Sequence, residues 1–187
     1  MYKFNPTINQ KIGRRLRPLI EVLHDKLGIT PNQVSIASFL LGVLSAIFIV
    51  FGKIYLGLIF IILSLMLDGL DGPIARAYEN KYDLKFGEKL DIILDRSSET
   101  LIILALAQVG YADVKLSLLA LVAIFLMTSL KSKSNFDPGF KRTVLLLGPF
   151  IGFNLALSII FFVNLLGYII SMLIIDLKAQ IIIDSKK

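Results

Sequence analysis

Long apolar segments dominate this chain, and each has about the length that a bilayer demands of a helix. About six can be marked off, at roughly residues 32–51, 54–77, 87–110, 113–131, 142–160 and 162–183. A helix crossing the hydrocarbon core needs roughly 20 predominantly apolar residues. The 187 residues therefore have room for about six crossings and little else. Hydrophobic residues make up 56% of the chain and its mean hydropathy is +0.77, greasier than the roughly 45–50% of a soluble domain. The expectation is an all-α integral membrane protein, a single domain over 1–187. The last two segments share one apolar stretch, Thr143 to Ile183, that must turn once. Gly152–Asn154 and Asn164–Gly167 both offer a place for that turn.

Residues 8–27 read as an amphipathic helix. Ile12, Leu16, Leu19, Ile20, Leu23 and Leu27 recur at helical spacing opposite Arg14, Arg15, Arg17 and Lys26. Such a helix either lies in the membrane interface or packs on the cytoplasmic ends of the bundle. The first thirty residues carry no apolar core of the kind a secretory signal needs. Thr30 is suited to cap the first crossing, with Pro31 at its first helical position. Basic residues gather before the first segment, in the 78–86 and 132–141 loops, and after the last segment. The intervening connections offer only Lys53 and Lys115. The positive-inside rule then places both termini and these loops in the cytoplasm. A net charge of +6 thus reflects topology and anionic phosphates rather than nucleic acid. Cysteine is absent and His24 is the one histidine, which excludes disulfides, thiolate metal sites and histidine-based centres.

Eight of the fourteen acidic residues fall between 68 and 99, at the cytoplasmic junction of the second and third segments. Ionisable groups inside membrane helices are costly and usually functional. Asp68 and Asp71 are three apart and Asp91 and Asp95 four apart, so each pair shares one helix face. The two helices are antiparallel neighbours, and both pairs can converge. Carboxylates gathered in this way repel one another, and a divalent cation resolves the conflict. Hard oxygen ligands without His or Cys favour Mg²⁺, Mn²⁺ or Ca²⁺ over Zn²⁺. Such a metal holds a pyrophosphate and neutralises charge on its leaving oxygen. Gly72 and Ala75 are small and share the face of Asp68 and Asp71, while Arg76 adds a fixed cation for phosphate. The bland alternative is a set of ion pairs between these aspartates and Arg76, Lys89 and Arg96.

The pattern of Asp68, Asp71, Gly72, Ala75 and Arg76, followed by Gly87, Asp91 and Asp95, resembles the signature of the CDP-alcohol phosphotransferase family. The ten residues between Arg76 and Gly87 make a slightly longer turn than is usual there. Ile29-Thr30-Pro31-Asn32-Gln33-Val34-Ser35 likewise resembles the family's entry to its first crossing. The resemblance implies six crossings, a homodimer, and release of CMP as a phospho-alcohol group passes from a CDP-alcohol donor, expected to be a lipid, to an alcohol acceptor. It implies that Asp68, Asp71 and Asp91 bind metal, in the form of two Mg²⁺ or Mn²⁺ ions. Asp95 is implied as both metal ligand and general base. Thr30, Pro31, Asn32, Gln33, Asp68, Asp71, Gly72, Ala75, Arg76 and Gly87 are implied as the donor site.

Lys131 and Lys133 close the fourth segment, and Lys141 and Arg142 open the fifth. This is similar to the basic region of family members that take inositol phosphate, with Asn135 where an acid is usual. It implies that Lys131, Lys133 and Arg142 bind an acceptor phosphate. Glycerol phosphate and serine are the alternative acceptors, and positive-inside topology alone would also place cations here. A reading of another class is a cation-coupled transporter, but such sites lie near the bilayer midplane within inverted repeats, and no repeat is visible in this sequence.

Overall fold

Backbone that enters hydrocarbon must satisfy its own hydrogen bonds, and a helix does so within a single segment. The computed structural model describes residues 20, 22–78, 84–134 and 136–184, and every regular element among them is helical. The α-helices are α1 (Pro31–Val50), α2 (Ile54–Ala77), α3 (Leu84–Gln108), α4 (Val114–Ser134), α5 (Lys141–Leu146), α6 (Gly148–Ile151) and α7 (Phe153–Asp184). Most of the amphipathic helix expected at 8–27 lies outside the described residues; its described end is one π-helical turn, Val22–Lys26. Among the described residues, four stretches are long and apolar enough to cross a membrane: Pro31–Val50, Ile54–Ala77, Val114–Lys131 and Phe153–Gln180. Helix α3 has the length, but between Lys85 and Glu99 it carries Lys85, Glu88, Lys89, Asp91, Asp95, Arg96 and Glu99.

The chain divides into two compact units, Met1–Ala105 and Leu106–Lys187. In the first, Thr30 caps α1 as expected and Gln33 completes a capping box. The Gln33 amide nitrogen donates to Thr30 Oγ1 at 3.3 Å, and the Thr30 amide to Gln33 Oε1 at 2.9 Å. Small side chains then let α1 and α2 approach closely. A Cβ on Gly57 would lie 2.6 Å from Ile49 Cγ1 and 3.1 Å from the Ser45 carbonyl. Ser38 and Ser64, both buried, each donate to the other's carbonyl at 2.9 Å. Helix α3 meets α1 at Gly42, where an added Cβ would stand 2.6 Å from Ser98 Cβ. The chain before α1 packs on the ends of these helices. Ile20 is buried with Val34 and Ile74, the His24 ring lies 3.8 Å from that of Tyr78, and the Tyr78 hydroxyl donates to Asp25 at 2.7 Å.

In the second unit α4 and α7 run parallel. The Asp113 amide donates to Asn154 Oδ1 at 2.7 Å near their beginnings, and Lys178 Nζ to the Ser134 carbonyl at 3.5 Å near their ends. Two parallel helices need a return between them, and Lys141–Ile151 makes it. The expected crossings at 142–160 and 162–183 are corrected accordingly. The turn falls at Gly152, whose φ of 89° glycine adopts at little cost, and α7 continues unbroken through Asn164 and Gly167. Asn164 stays helical by donating to the Ile160 carbonyl at 2.7 Å. Gly167 makes room for Met127, Phe136 and Pro138.

Candidate metal and phosphate site

The contact stripe of α2 runs through Gly57, Ile61 and Ser64, at spacings of four and three, and the same rhythm continues to Asp68 and Asp71. The two aspartates therefore occupy positions that, one and two turns earlier, face the neighbouring helix. Carboxylate oxygens of Asp68, Asp71 and Asp91 all lie within 4.8 Å of one another, each residue half-buried. Asp95 follows one turn later on α3 and is close enough for its charge to act on Asp71 and Asp91. Carboxylates gathered this closely repel one another unless a proton or a cation lies between them. An all-carboxylate oxygen set at this separation fits a divalent ion such as Mg²⁺ or Mn²⁺.

Asp71 is held from two further directions. Ser35 Oγ on α1 donates to its Oδ2 at 2.6 Å, and the Gly72 amide donates to its Oδ1. Ser35 belongs to the segment at the entry to α1, but its contact is to a carboxylate of the acidic cluster. The pairing of these aspartates with Arg96 is not what that arginine does: Arg96 Nη1 lies 2.8 Å from Glu99 Oε2, both side chains being buried.

The residues expected to hold a nucleotide diphosphate share this first unit. Thr30 and Gln33 spend their side-chain groups on each other in the capping box, and Pro31 is buried. Asn32 is half-buried, with its Oδ1 only 3.4 Å from where a Cβ on Gly87 would lie. Gly72 is similarly constrained, since an added Cβ would stand 3.2 Å from Arg76 Nη1. Arg76 itself is exposed and Ala75 half-buried. Small residues thus keep the backbone open on either side of the carboxylates.

The three cations expected to take an acceptor phosphate belong to the second unit and differ in setting. Lys133 is exposed and Arg142 buried. Lys131 is half-buried, and its Nζ lies 3.0 Å from Asp137 Oδ2. Lys141 Nζ lies 3.3 Å from the other oxygen of the same carboxylate. Asp137 was not singled out by sequence, although Asp137-Pro138-Gly139 is a recognisable turn between basic residues.

The sequence profile described as CDP-alcohol phosphatidyltransferase matches residues 28–174. Over 100 residues the chain is 42% identical to the bifunctional IPC transferase and DIPP synthase of Aquifex aeolicus, covering 54% of this chain and 22% of that protein. Over 127 residues it is 33% identical to the archaetidylinositol phosphate synthase of Pyrococcus horikoshii, covering 67% of this chain and 63% of the relative. Neither curated relative is spanned over two thirds of its length. The fold is that of the phosphatidylinositol phosphate synthase of Mycobacterium tuberculosis, solved with CDP-DAG bound. That match has a TM-score of 0.59 at 22% identity and covers 88% of this chain and 89% of the other. The same synthase has also been solved with manganese and citrate.

Proposed function

The chain belongs to the CDP-alcohol phosphatidyltransferase family, and from that premise we propose that it transfers a phospho-alcohol group from a CDP-activated lipid to an alcohol acceptor. The observation that carries this reading is the meeting of Asp68, Asp71 and Asp91 within 4.8 Å. Bound there, one or two Mg²⁺ or Mn²⁺ ions would neutralise the donor pyrophosphate and the charge developing on its leaving oxygen. Asp68, Asp71 and Asp91 hold that group, with Asp95 on the next turn completing the set. Arg76 pairs with donor phosphate, and Asn32, Gly72, Ala75 and Gly87 leave space for the nucleotide. Thr30, Pro31 and Gln33 fix the start of α1 so that Asn32 is presented to it.

Asp95 accepts the proton of the acceptor hydroxyl. The acceptor oxygen bonds to the phosphorus distal to cytidine as the pyrophosphate P–O bond breaks, and CMP leaves with the bridging oxygen. A carboxylate at the edge of the cluster is suited to this because its neighbours carry the ligand role. The acceptor we infer is inositol phosphate, its phosphate held by Lys131, Lys133 and Arg142. The inositol phosphate in the names of the archaeal and mycobacterial proteins supports this.

The protein is read as multi-pass, with α3 and the short return of α5 and α6 making its third and fifth crossings. Both termini and the active site face the cytoplasm, as the basic loops favour. The family match extends over both compact units, supporting one functional domain. A homodimer is the assembly we infer, on the family resemblance alone. The transporter reading is not favoured, because the acidic cluster lies at the end of α2 and the start of α3. The test is CMP release from CDP-diacylglycerol and CDP-archaeol with inositol phosphate, inositol, glycerol phosphate and serine as acceptors. No CMP from any combination overturns the reading; release with glycerol phosphate or serine alone overturns the acceptor.

A further inference from the structure

One anion sits among the basic residues of the second unit. Asp137 accepts from Lys131 at 3.0 Å through Oδ2, and from Lys141 at 3.3 Å and the Gly139 amide at 3.0 Å through Oδ1. The two lysines differ. The Lys141 side chain is 2% exposed and needs a counterion where it lies, whereas that of Lys131 is 23% exposed and sits at the open edge of the pair. Burial alone would raise the Asp137 carboxyl, but Lys141 and Lys131 hold it well below the usual carboxylate range. It is therefore an anion throughout the neutral range. The turn that carries it is tense at Phe140, whose φ of 62° is positive and follows Gly139 at 63°. For Phe140 that conformation is unfavourable, and the bonds from Asp137 to Gly139 and Lys141 brace both sides of it.

We propose that Asp137 is a resident competitor for the acceptor's phosphate, placed so that a phosphorylated acceptor must take Lys131 from it. The inference rests on the reading that the acceptor carries a phosphate. A dianionic phosphate outcompetes one carboxylate for an ammonium group, while a neutral alcohol has nothing with which to displace it. Lys141 stays on Asp137 and keeps the turn in place, so Lys131 changes partner without unfolding the loop. The arrangement filters acceptors by charge. It lowers affinity for phosphate in return for keeping Lys131 paired when the site is empty of acceptor. Asp137 acts through Lys131 and is a positioning residue.

The experiment uses the full chain in detergent with chelator present, so that phosphate is not taken up through metal at the aspartates. Protection against thermal unfolding by inorganic phosphate is titrated for wild type, Asp137→Asn and Lys131→Gln. Asp137→Asn should bind phosphate on the order of tenfold more tightly, since Lys131 no longer has an internal partner. Phosphate affinity unchanged or weakened in Asp137→Asn overturns the proposal. If Asp137→Asn does not fold, Lys131→Gln decides. It should weaken phosphate binding severalfold with little change in Tm, and unchanged binding overturns the proposal. Transferase assays separate the two levels of inference. A wild type that prefers unphosphorylated inositol overturns both the acceptor reading and this proposal. A wild type that prefers inositol phosphate, with no fall in acceptor KM in Asp137→Asn, overturns this proposal alone.

Discussion

Ser35 Oγ on α1 donates to Asp71 Oδ2 on α2 at 2.6 Å, so the helix that opens the chain's first crossing also aims a carboxylate of the acidic cluster. Partners of this kind orient metal ligands, and losing one typically weakens metal binding tenfold to a hundredfold. Ser35→Ala should therefore raise the Kd for Mn²⁺ by about tenfold. Its effect on stability should stay within about 1 kcal/mol, the scale of a hydrogen bond between membrane helices. Calorimetric titration with Mn²⁺ beside a thermal melt separates the two, and an unchanged Kd would show that Asp71 is aimed by its own helix.

The approach of α3 to α1 depends on Gly42. An added Cβ there would lie 2.6 Å from Ser98 Cβ, too near for either helix to stay in place, whereas a Cβ on Gly69 meets nothing within 4 Å. Gly42→Ala should cost about 1–3 kcal/mol. It should also lower turnover, because α3 carries Asp91 and Asp95. Gly69→Ala should leave stability unchanged or improve it by up to about 1 kcal/mol. Melting curves of the two variants in one detergent check this pair.

Much of this was legible in the chain itself, and for local reasons. Thr30 and Pro31 mark a helix start through short-range bonding, and three- and four-residue spacing puts Asp68 with Asp71 and Asp91 with Asp95 wherever the helices go. The turn before α7 was not legible, because Gly152 and Gly167 look alike in sequence. What separates them is tertiary: Gly167 sits beneath Met127, Phe136 and Pro138, while Gly152 has positive φ. The partner of Lys131 was hidden for a related reason. Asp137 is six residues away around a turn, outside any helical spacing, and only the folded loop brings them to 3.0 Å.

Divalent metal should be required for CMP release and should also stabilise the fold. At a concentration of 100 Kd, one site adds about 2.7 kcal/mol. Asp91→Asn removes one of three carboxylates that meet within 4.8 Å. It should abolish the metal-dependent rise in Tm, yet raise the Tm of the metal-free protein by relieving repulsion between like charges. Melts of both proteins with chelator and with Mn²⁺ give four values, and full wild-type activity in excess chelator would sink the metal assignment.

Asp95 lies one turn beyond the cluster formed by Asp68, Asp71 and Asp91. Asp95→Asn should therefore spare donor binding while removing the proton acceptor, with turnover falling about a hundredfold or more. Affinity for the CDP-alcohol donor and the single-turnover rate need separate measurement. Near-normal turnover, or complete loss of donor binding, means that Asp95 is not the base.

Arg142 and Lys133 flank the turn that carries Asp137, but the structure gives them different weights. Arg142 is only 3% exposed at the start of α5, where a phosphate contact would be shielded from water. Lys133 is exposed near the end of α4, where solvent screens it. A charge-assisted contact contributes roughly 1.5–3 kcal/mol, so Arg142→Ala should raise the acceptor KM about tenfold to a hundredfold. Lys133→Ala should raise it only about two- to fivefold, the range of a screened surface pair. Donor KM should move in neither. Arg142→Lys should recover only part of the loss, because an ammonium cannot present two parallel donors to one phosphate. The effects should vanish when unphosphorylated inositol replaces inositol phosphate in the assay. Wild-type acceptor kinetics in Arg142→Ala would leave these cations a role in membrane orientation alone.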